Sequence, residues 1–395
     1  MRLPDWFRER VDPLPSESEL RVSTLELFFD LVFVFTVTQL TNLLADGVQR
    51  GRPLEGALRA LLVFGVIWWM YAGYAWLTNA VPPVRPARRV LVLLGMSGFL
   101  IVALSIPSVF DGDGVAFAIG YLLLVVVHAG LYAQATSAIA RVLPFNFGGV
   151  ALIFVAGLVG APYDHLLWGA AVVLLWASPY FIGQRGFSLR AAHIVERHGL
   201  LVIVVLGESV VAIGVGAQGL RIGPGLGLAA VLGLTLAACL WWLYFGGDDE
   251  ARAEHVLEGT EPVRRTRLIL GAYFYAHIPM LLGVVAVATG VKKLIGHPED
   301  PLKLAAAVTL AAGVAMFLAG SVWFRRVIGV RGDRLRGVGA LLTPVTVVLA
   351  LWSGLAQLTA LVVLVSAVIV LERRGVLRRT GGTGHDGVVH AEPAP

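Results

Sequence analysis

The sequence predicts an all-α membrane protein, a polytopic bundle of about twelve transmembrane helices. Three observations lead to this prediction. Hydrophobic residues make up 57% of the 395 residues and charged residues only 14%, against roughly 25% charged in an average soluble domain. The mean hydropathy of +0.79 leaves too few polar side chains to cover a soluble protein of this size. The third observation is a series of apolar runs, each near the roughly 20 residues that a spanning helix needs.

Twelve runs are long and apolar enough to predict spanning helices. In order along the chain they cover residues 24–44, 57–80, 90–110, 114–139, 145–161, 165–184, 198–218, 225–246, 268–290, 304–324, 337–352 and 354–371. The last two form one apolar stretch of 35 residues, which is too long for a single span. Ser353-Gly354 is the expected turn, although one long broken helix is the alternative.

The positions of the basic residues test this count, because loops that stay in the cytoplasm are enriched in Lys and Arg. With twelve spans and both termini in the cytoplasm, 24 of the 31 Lys and Arg residues fall on the cytoplasmic side. We therefore expect a protein of the bacterial cytoplasmic (inner) membrane. A cytoplasmic N-terminal segment, residues 1–22, would precede the bundle, and a Gly-rich disordered tail, residues 373–395, would follow it.

Two aromatic segments that lie 173 residues apart indicate an internal duplication. Residues 68–73 (WWMYAG) end span two, and residues 241–246 (WWLYFG) end span eight. A displacement of six spans preserves orientation, so residues 23–184 and 185–372 would be parallel repeats of six helices each. The competing explanation is that Trp pairs recur because aromatic side chains favour the membrane interface.

Ionisable residues are rare inside the predicted spans, because each costs about 2.5–3.5 kcal/mol at the centre of a helix. In span one, Glu26 and Asp30 are four residues apart and share one helical face. Thr38 and Gln39 continue a polar strip roughly along that side, about two turns deeper. Glu26 is also explained as an acid near the helix N-terminus, where Ser23 or Thr24 can provide a cap. Asp30 lies too deep for capping, so we expect it to form a site or a polar contact with another helix.

Glu208 in span seven is the strongest candidate for a functional residue. It lies about 15 Å along the helix from His198, near the middle of the bilayer. A carboxylate at that depth must be protonated, bound to a cation or held by hydrogen bonds. Ser209 adds a hydroxyl group beside it, and Gly207 is expected to let another helix approach closely.

His277 in span nine is a further candidate, because Pro279 frees a backbone carbonyl one turn earlier. The alternative is a neutral histidine that simply donates to a carbonyl. His193 and His198 flank Glu196 and Arg197 at the cytoplasmic end of span seven, but this group lacks the His-Glu-x-x-His order of a zinc site. Phosphate-binding loops, nucleophile elbows and Cys pairs are absent, so we expect no metal, no cofactor and no enzymatic activity.

The same residues carry a resemblance to a known family. Residues 26–35 (ELFFDLVFVF), 196–200 (ERHGL), 206–209 (LGES), 241–245 and 276–279 resemble the bacterial low temperature requirement protein A family. The resemblance extends from about residue 20 to residue 373. It implies a multi-pass membrane protein of a family named for a cold-growth phenotype, and it implies no catalytic residues.

The acids inside the spans and the duplication lead us to expect an ion- or proton-coupled secondary transporter. In this hypothesis Glu208 binds and releases a proton or cation while the two halves rock around a central site lined by Asp30 and Gln39. The expected partners are the lipid bilayer, protons or a cation, and a small-molecule substrate. Nucleic acid is not expected as a partner, because the basic residues serve as topology signals.

Three alternatives stay open. A major-facilitator carrier also has twelve spans, but the loop of residues 81–89 lacks the Gly-x-x-x-Asp-Arg type of motif usual for that fold. A structural or sensory membrane protein in cold tolerance would use the acids to hold helices together. A membrane-embedded enzyme acting on lipid would rely on the polar residues between His193 and His198.

Overall fold

The structure is an all-helical bundle, which confirms the predicted fold class. The computed structural model describes residues 21–330 and 333–381, with the backbone alone described for residues 375–381. The first six long helices are α1 (Thr24–Gln49), α2 (Pro53–Ala80), α3 (Pro86–Ser105), α4 (Gly114–Tyr132), α5 (Leu143–Val159) and α6 (Asp164–Ile182). The next six are α7 (Ala191–Gly216), α8 (Pro224–Phe245), α9 (Pro262–Ile295), α10 (Leu304–Ile328), α11 (Arg334–Leu351) and α12 (Gly354–Gly381).

The twelve helices correspond one to one with the twelve predicted spans. Within the described residues, eleven are long and apolar enough to cross a membrane, and α5 is shorter at 17 residues. Large apolar side chains cover the outside of the bundle, as on α6, where Leu166 and Phe181 are 71% and 77% exposed. Water disfavours so much exposed apolar surface, so the sides of the bundle face lipid.

Three helices differ by at least seven residues from a predicted boundary, and α7 is the one whose start was misplaced. It begins at Ala191, seven residues before the predicted start at residue 198. The prediction was wrong because Arg197 was taken to mark the end of the membrane. Its charge is instead neutralised by acids of another helix, so the helix continues past it. Helix α4 ends at Tyr132, seven residues before the predicted end at residue 139. Helix α12 continues to Gly381, ten residues past the predicted end at residue 371, so the first residues of the predicted disordered tail are helical.

The predicted turn between the last two helices is present, so they are separate. Gly354 N–H donates to Asp300 O at 2.9 Å, and Ser353 Oγ accepts from Ala356 N at 3.1 Å at the start of α12. A Cβ atom at Gly354 would lie 2.8 Å from Leu294 Cγ, so this turn requires glycine. Residues 1–20 and 382–395, in the predicted N-terminal segment and tail, lie outside the described residues.

Neighbouring helices pack in the same pattern in both halves. In the first half α1 packs on α2 and α3, α3 on α4, α4 on α5, α5 on α6, and α2 on α4 and α6. Each of these pairs has its counterpart six helices later in the chain. A duplicated six-helix unit predicts this match, whereas a preference of Trp pairs for the interface does not. The halves meet where α1 packs on α7 and α9 and where α2 packs on α7.

Candidate functional site

Helices α1 and α7, the first helix of each half, lie side by side and run in the same direction. Arg197 contacts Asp30 and Glu26 at sequence separations of 167 and 171 residues, and Glu208 contacts Thr38 at a separation of 170. A nearly constant separation along the helices requires that they run parallel. This is the orientation that a repeat displaced by six spans must have.

Near the start of both helices lies a group of buried polar residues that we call the ion-pair cluster: Glu26, Asp30, Tyr71, His193 and Arg197. Arg197 donates to Glu26 Oε2 at 3.1 Å and to Asp30 Oδ1 at 2.8 Å, and the Tyr71 hydroxyl donates to Asp30 Oδ1 at 2.9 Å. His193 Nε2 lies 3.0 Å from Glu26 Oε2, but without hydrogen-bond geometry. None of the five residues is more than 2% exposed.

Glu26 has two roles in this arrangement. Its Oε1 atom accepts from Ser23 N at 3.1 Å and from Ser23 Oγ at 2.8 Å, which closes a capping box at the start of α1. Its Oε2 atom faces Arg197 of the other half. Capping and an interhelical contact therefore both apply to Glu26, whereas Asp30 makes the interhelical contact alone.

The ion-pair cluster fixes the relative position of the halves more than it adds net stability. Asp30 Oδ2 and Arg197 Nε are buried and have no hydrogen-bond partner within the described residues. When some polar atoms of a buried ion pair lack hydrogen bonds, the attraction between the charges does little more than compensate for the free energy of removing them from water. Removing one partner is nevertheless strongly destabilising, because the other charge is left buried and unpaired. The cluster therefore specifies which faces of α1 and α7 meet.

Glu208 lies further along the same interface and has a different environment. The residue is 2% exposed, and its Oε2 atom lies 2.5 Å from Thr38 Oγ1 of α1. Thr38 Oγ1 is also 3.2 Å from Val34 O. Among the residues that the structure describes, no Lys, Arg or His forms a salt bridge with Glu208. It is thus a buried acid between the halves whose recorded partner is a hydroxyl group.

The residues beside Glu208 and Thr38 are less directly involved. Ser209 is 1% exposed, and its hydroxyl has no partner within the described residues. Gln39 is half-buried and makes no side-chain hydrogen bond to any described residue. A Cβ atom at Gly207 would have no neighbour within 4 Å, so the predicted close approach of a helix there is wrong.

His198 and His277 come together in a second buried group, between α7 and α9, with ring centroids 5.3 Å apart. The chain of α9 forms a π turn over Leu270–Tyr275, where Ala276 N donates to Gly271 O. His277 Nδ1 donates to Ala272 O, within this turn, at 2.8 Å. Because Nδ1 then carries the hydrogen, Nε2 accepts from the Tyr244 hydroxyl at 3.0 Å.

The partner of His277 is not the carbonyl that Pro279 frees. Pro279 has no N–H for Tyr275 O, whereas His277 donates to Ala272 O in the π turn. This contact matches the alternative prediction, a histidine that donates to a backbone carbonyl.

His198 similarly donates from Nδ1 to Ile194 O at 2.9 Å. His193 and Arg197 thus lie in the ion-pair cluster and His198 in the second buried group, whereas Glu196 is exposed and accepts from Val22 N at 3.0 Å. The structure does not bring the four residues together in one site.

The far end of α1 is also held by the second half. Lys292 Nζ of α9 donates to Asn42 Oδ1, and Lys293 Nζ donates to Gln49 Oε1, both at 2.8 Å. Charged contacts thus join α1 to the other half at both of its ends. Glu208 lies between these two sets of contacts.

The sequence identified the candidate acids, but not the residues that contact them. Arg197, Thr38 and Tyr71 all contact a predicted acid, yet none was predicted as a partner. A usable signal was the separation itself, because aligning span one with span seven at about 170 residues places Arg197 beside Asp30 and Glu208 beside Thr38.

Comparison with known proteins agrees with the resemblance noted in the sequence. The chain matches the family model described as bacterial low temperature requirement A protein over residues 21–372. It is also 28% identical over 341 residues to an uncharacterized protein of Rhizobium meliloti (strain 1021). That match covers 82% of this chain and 80% of the relative.

Proposed function

This chain belongs to the bacterial low temperature requirement A family, and we propose that it acts as an ion- or proton-coupled secondary transporter and not as an enzyme. The proposal includes the bacterial cytoplasmic membrane as its location, with both termini in the cytoplasm. The distribution of basic residues supports this location. Twelve helices in two parallel six-helix halves are an architecture that carriers use.

The observation that carries the proposal is the position of Glu208. It is a buried acid at the contact between the halves that accepts from Thr38, and no Lys, Arg or His of the described residues forms a salt bridge with it, although Lys292 lies near enough to interact electrostatically. Glu26 and Asp30 both pair with Arg197, so they are less available for a transported proton or cation than Glu208. Glu208 is therefore the carboxylate that would exchange the coupling ion.

The hydroxyl of Thr38 serves both protonation states of Glu208. When Glu208 is ionised, the Thr38 hydroxyl donates to its Oε2 atom, 2.5 Å away. When Glu208 is protonated, its own O–H donates to Thr38 Oγ1, and the Thr38 hydrogen turns to Val34 O at 3.2 Å. A rotation of one hydroxyl group replaces a movement of the helix, so a proton is gained or lost at small structural cost.

Proton flux in proteoliposomes tests this proposal. Purified protein is reconstituted around a pH-sensitive dye, and an imposed pH gradient drives flux in the wild type, in Glu208→Gln and in Glu208→Asp. Glu55→Gln is the matched control, because Glu55 is 37% exposed and pairs with Arg59. We expect flux in the wild type and the control, partial flux with Asp, and at least a roughly tenfold loss with Gln.

Undiminished flux in Glu208→Gln would refute a coupling role for Glu208. The wild type is also assayed under Na⁺ and K⁺ gradients. An absence of flux for all three ions in the wild type would favour the second candidate function, a structural or sensory role in cold tolerance. The ion-pair cluster is the observation behind that candidate, since it fastens the halves together. In that case Glu208→Gln is expected to lower thermal stability.

A further inference from the structure

A large cavity opens at one end of the second half, on the face where α1 and α7 begin. Its volume is about 1250 Å³. It lies among the ends of α8, α10 and α12 and the start of α11, which bring Trp242, Arg325, Arg336 and Glu372 to its walls. Neither the candidate site nor the proposed function uses it.

The lining of this cavity is strongly charged, with an excess of positive charge. Its described basic residues are Arg252, Arg325, Arg326, Arg334, Arg336 and Arg373. Its described acidic residues are Asp248, Asp249, Asp333 and Glu372. Six positive charges thus face four negative charges.

The deepest charges balance one another. Arg325 Nε donates to Asp249 Oδ2 at 2.7 Å, and Arg336 Nε donates to Glu372 Oε1 at 3.0 Å. Arg325 NH1 also donates to Glu372 Oε1 at 3.1 Å, so the four side chains form one network. All four side chains are at most 15% exposed. This network forms the floor of the cavity.

The excess charge comes from the rim. Arg326 pairs with Asp333 at 2.6 Å there. Within the described residues, Arg334 and Arg373 have no acidic partner. Arg373 instead lies with its guanidinium carbon 4.5 Å from the centre of the Trp242 ring. Two positive charges at the mouth are therefore available to an anion.

The duplication provides an internal comparison for this lining. Trp69 of the first half occupies the repeat position of Trp242, and it lines a cavity among the equivalent helices α2, α4, α5 and α6, closed on one side by Thr266, Leu270 and Phe274 of α9. That cavity measures only about 80 Å³. None of its described lining residues is charged; its polar side chains include His128, Asn146 and Gln184. The first half therefore folds without charges at this position. The buried network accounts for Arg325 and Arg336 of the second half, but it does not account for Arg334 and Arg373 at the rim.

We propose that the second-half cavity binds the headgroup phosphate of an anionic phospholipid, with Arg334 and Arg373 as the groups that contact the phosphate. The surface beside the cavity supports a lipid over a soluble phosphate. Trp242 is 39% exposed and Leu371 is 49% exposed, and both line the mouth. They would contact the acyl chains of a lipid whose headgroup enters the cavity, as in other basic pockets between membrane helices.

Lipid binding to the purified full-length chain in detergent tests the proposal, for example by native mass spectrometry over a range of lipid concentrations. The probes are phosphatidylglycerol, phosphatidylcholine and soluble glycerol phosphate. The variant Arg334→Gln/Arg373→Gln removes the proposed contacts. The control Arg264→Gln/Arg267→Gln removes two exposed arginines near the start of α9, on the same face but outside the cavity.

We expect the wild type to prefer phosphatidylglycerol, and the Arg334→Gln/Arg373→Gln variant to bind it about 25-fold more weakly, which is about fivefold per arginine. The control is expected to change binding by less than about threefold. Arg334→Lys/Arg373→Lys keeps the charges and is expected to retain most of the affinity, which separates loss of contact from a folding defect. Equal losses in variant and control would overturn the proposal, as would glycerol phosphate binding as tightly as the lipid.

Discussion

Replacing Arg197 by methionine is expected to be among the most destabilising single changes in the chain. Arg197 is 1% exposed and donates to Glu26 and Asp30 of the other half. Each such charge-assisted hydrogen bond contributes about 1.5–3 kcal/mol. The change also leaves two carboxylates buried without their cation, and breaking a buried pair in this way costs about 3–5 kcal/mol. We therefore expect Arg197→Met to lower the free energy of unfolding by about 3–5 kcal/mol.

The measurement is unfolding in mixed micelles with increasing denaturing detergent, followed by circular dichroism. Arg264→Met is the matched control, because Arg264 is exposed on the same face, and it is expected to change the free energy by less than about 0.5 kcal/mol. The informative variant is Glu26→Gln/Asp30→Asn/Arg197→Met, which removes every fixed charge of the cluster together. We expect it to recover most of the loss, since a neutral replacement of a buried ion network is often tolerated.

The reasoning is refuted if the triple variant is as unstable as Arg197→Met alone. The loss would then come from packing and not from unpaired charge. The structure offers such a source, since the Arg197 guanidinium lies 5.7 Å from the ring centres of both Phe29 and Tyr71.

Two further predictions concern the helix contacts. Thr38→Val removes the hydroxyl group that donates to Glu208, so proton flux in proteoliposomes should fall by at least about tenfold. Thr38→Ser keeps the hydroxyl group and should keep the flux. Equal flux in the two variants would exclude a role for the hydroxyl group. Gly313→Ala would bring a Cβ atom within 2.7 Å of Gly283 O, so the unfolding midpoint should fall by the equivalent of about 1–3 kcal/mol. Gly207→Ala meets no atom within 4 Å and should be neutral or slightly stabilising, and a matching loss there would contradict the packing argument.

The architecture was predictable because the bilayer restricts what an apolar run can do. A stretch of about 20 apolar residues has to become a spanning helix, so the twelve elements follow from composition and length. Even the turn at Ser353-Gly354 was predictable, since 35 apolar residues exceed one crossing. In the sequence, the aromatic segments that indicated the duplication share only four of six residues. Its main support comes from the matched packing of the two halves.

The site was predictable only in part, because the sequence shows charges but not their partners. Glu26, Asp30 and Glu208 were candidates as rare acids in apolar helices. Their environments depend on α7 and α1 meeting at a register of about 170 residues, which no local pattern encodes. Arg197 was placed before span seven for the same reason. A charge is stable inside a membrane helix when it has a partner, and the sequence alone did not identify the partners of Arg197. The hydrogen bond from His277 to Ala272 O in the π turn at Leu270–Tyr275 was likewise not predictable from a local pattern.

The pairing of Asp30 with Arg197 also has a consequence for the time at which the protein is made. The ribosome completes α1 long before it reaches Arg197, which follows Asp30 by 167 residues. At about 5–20 residues per second, this interval is roughly 10–30 s. During that time the acids of the newly inserted first helix have no guanidinium to meet. We therefore expect α1 to stay at the insertion machinery, or to keep its acids protonated, until the second half begins to emerge.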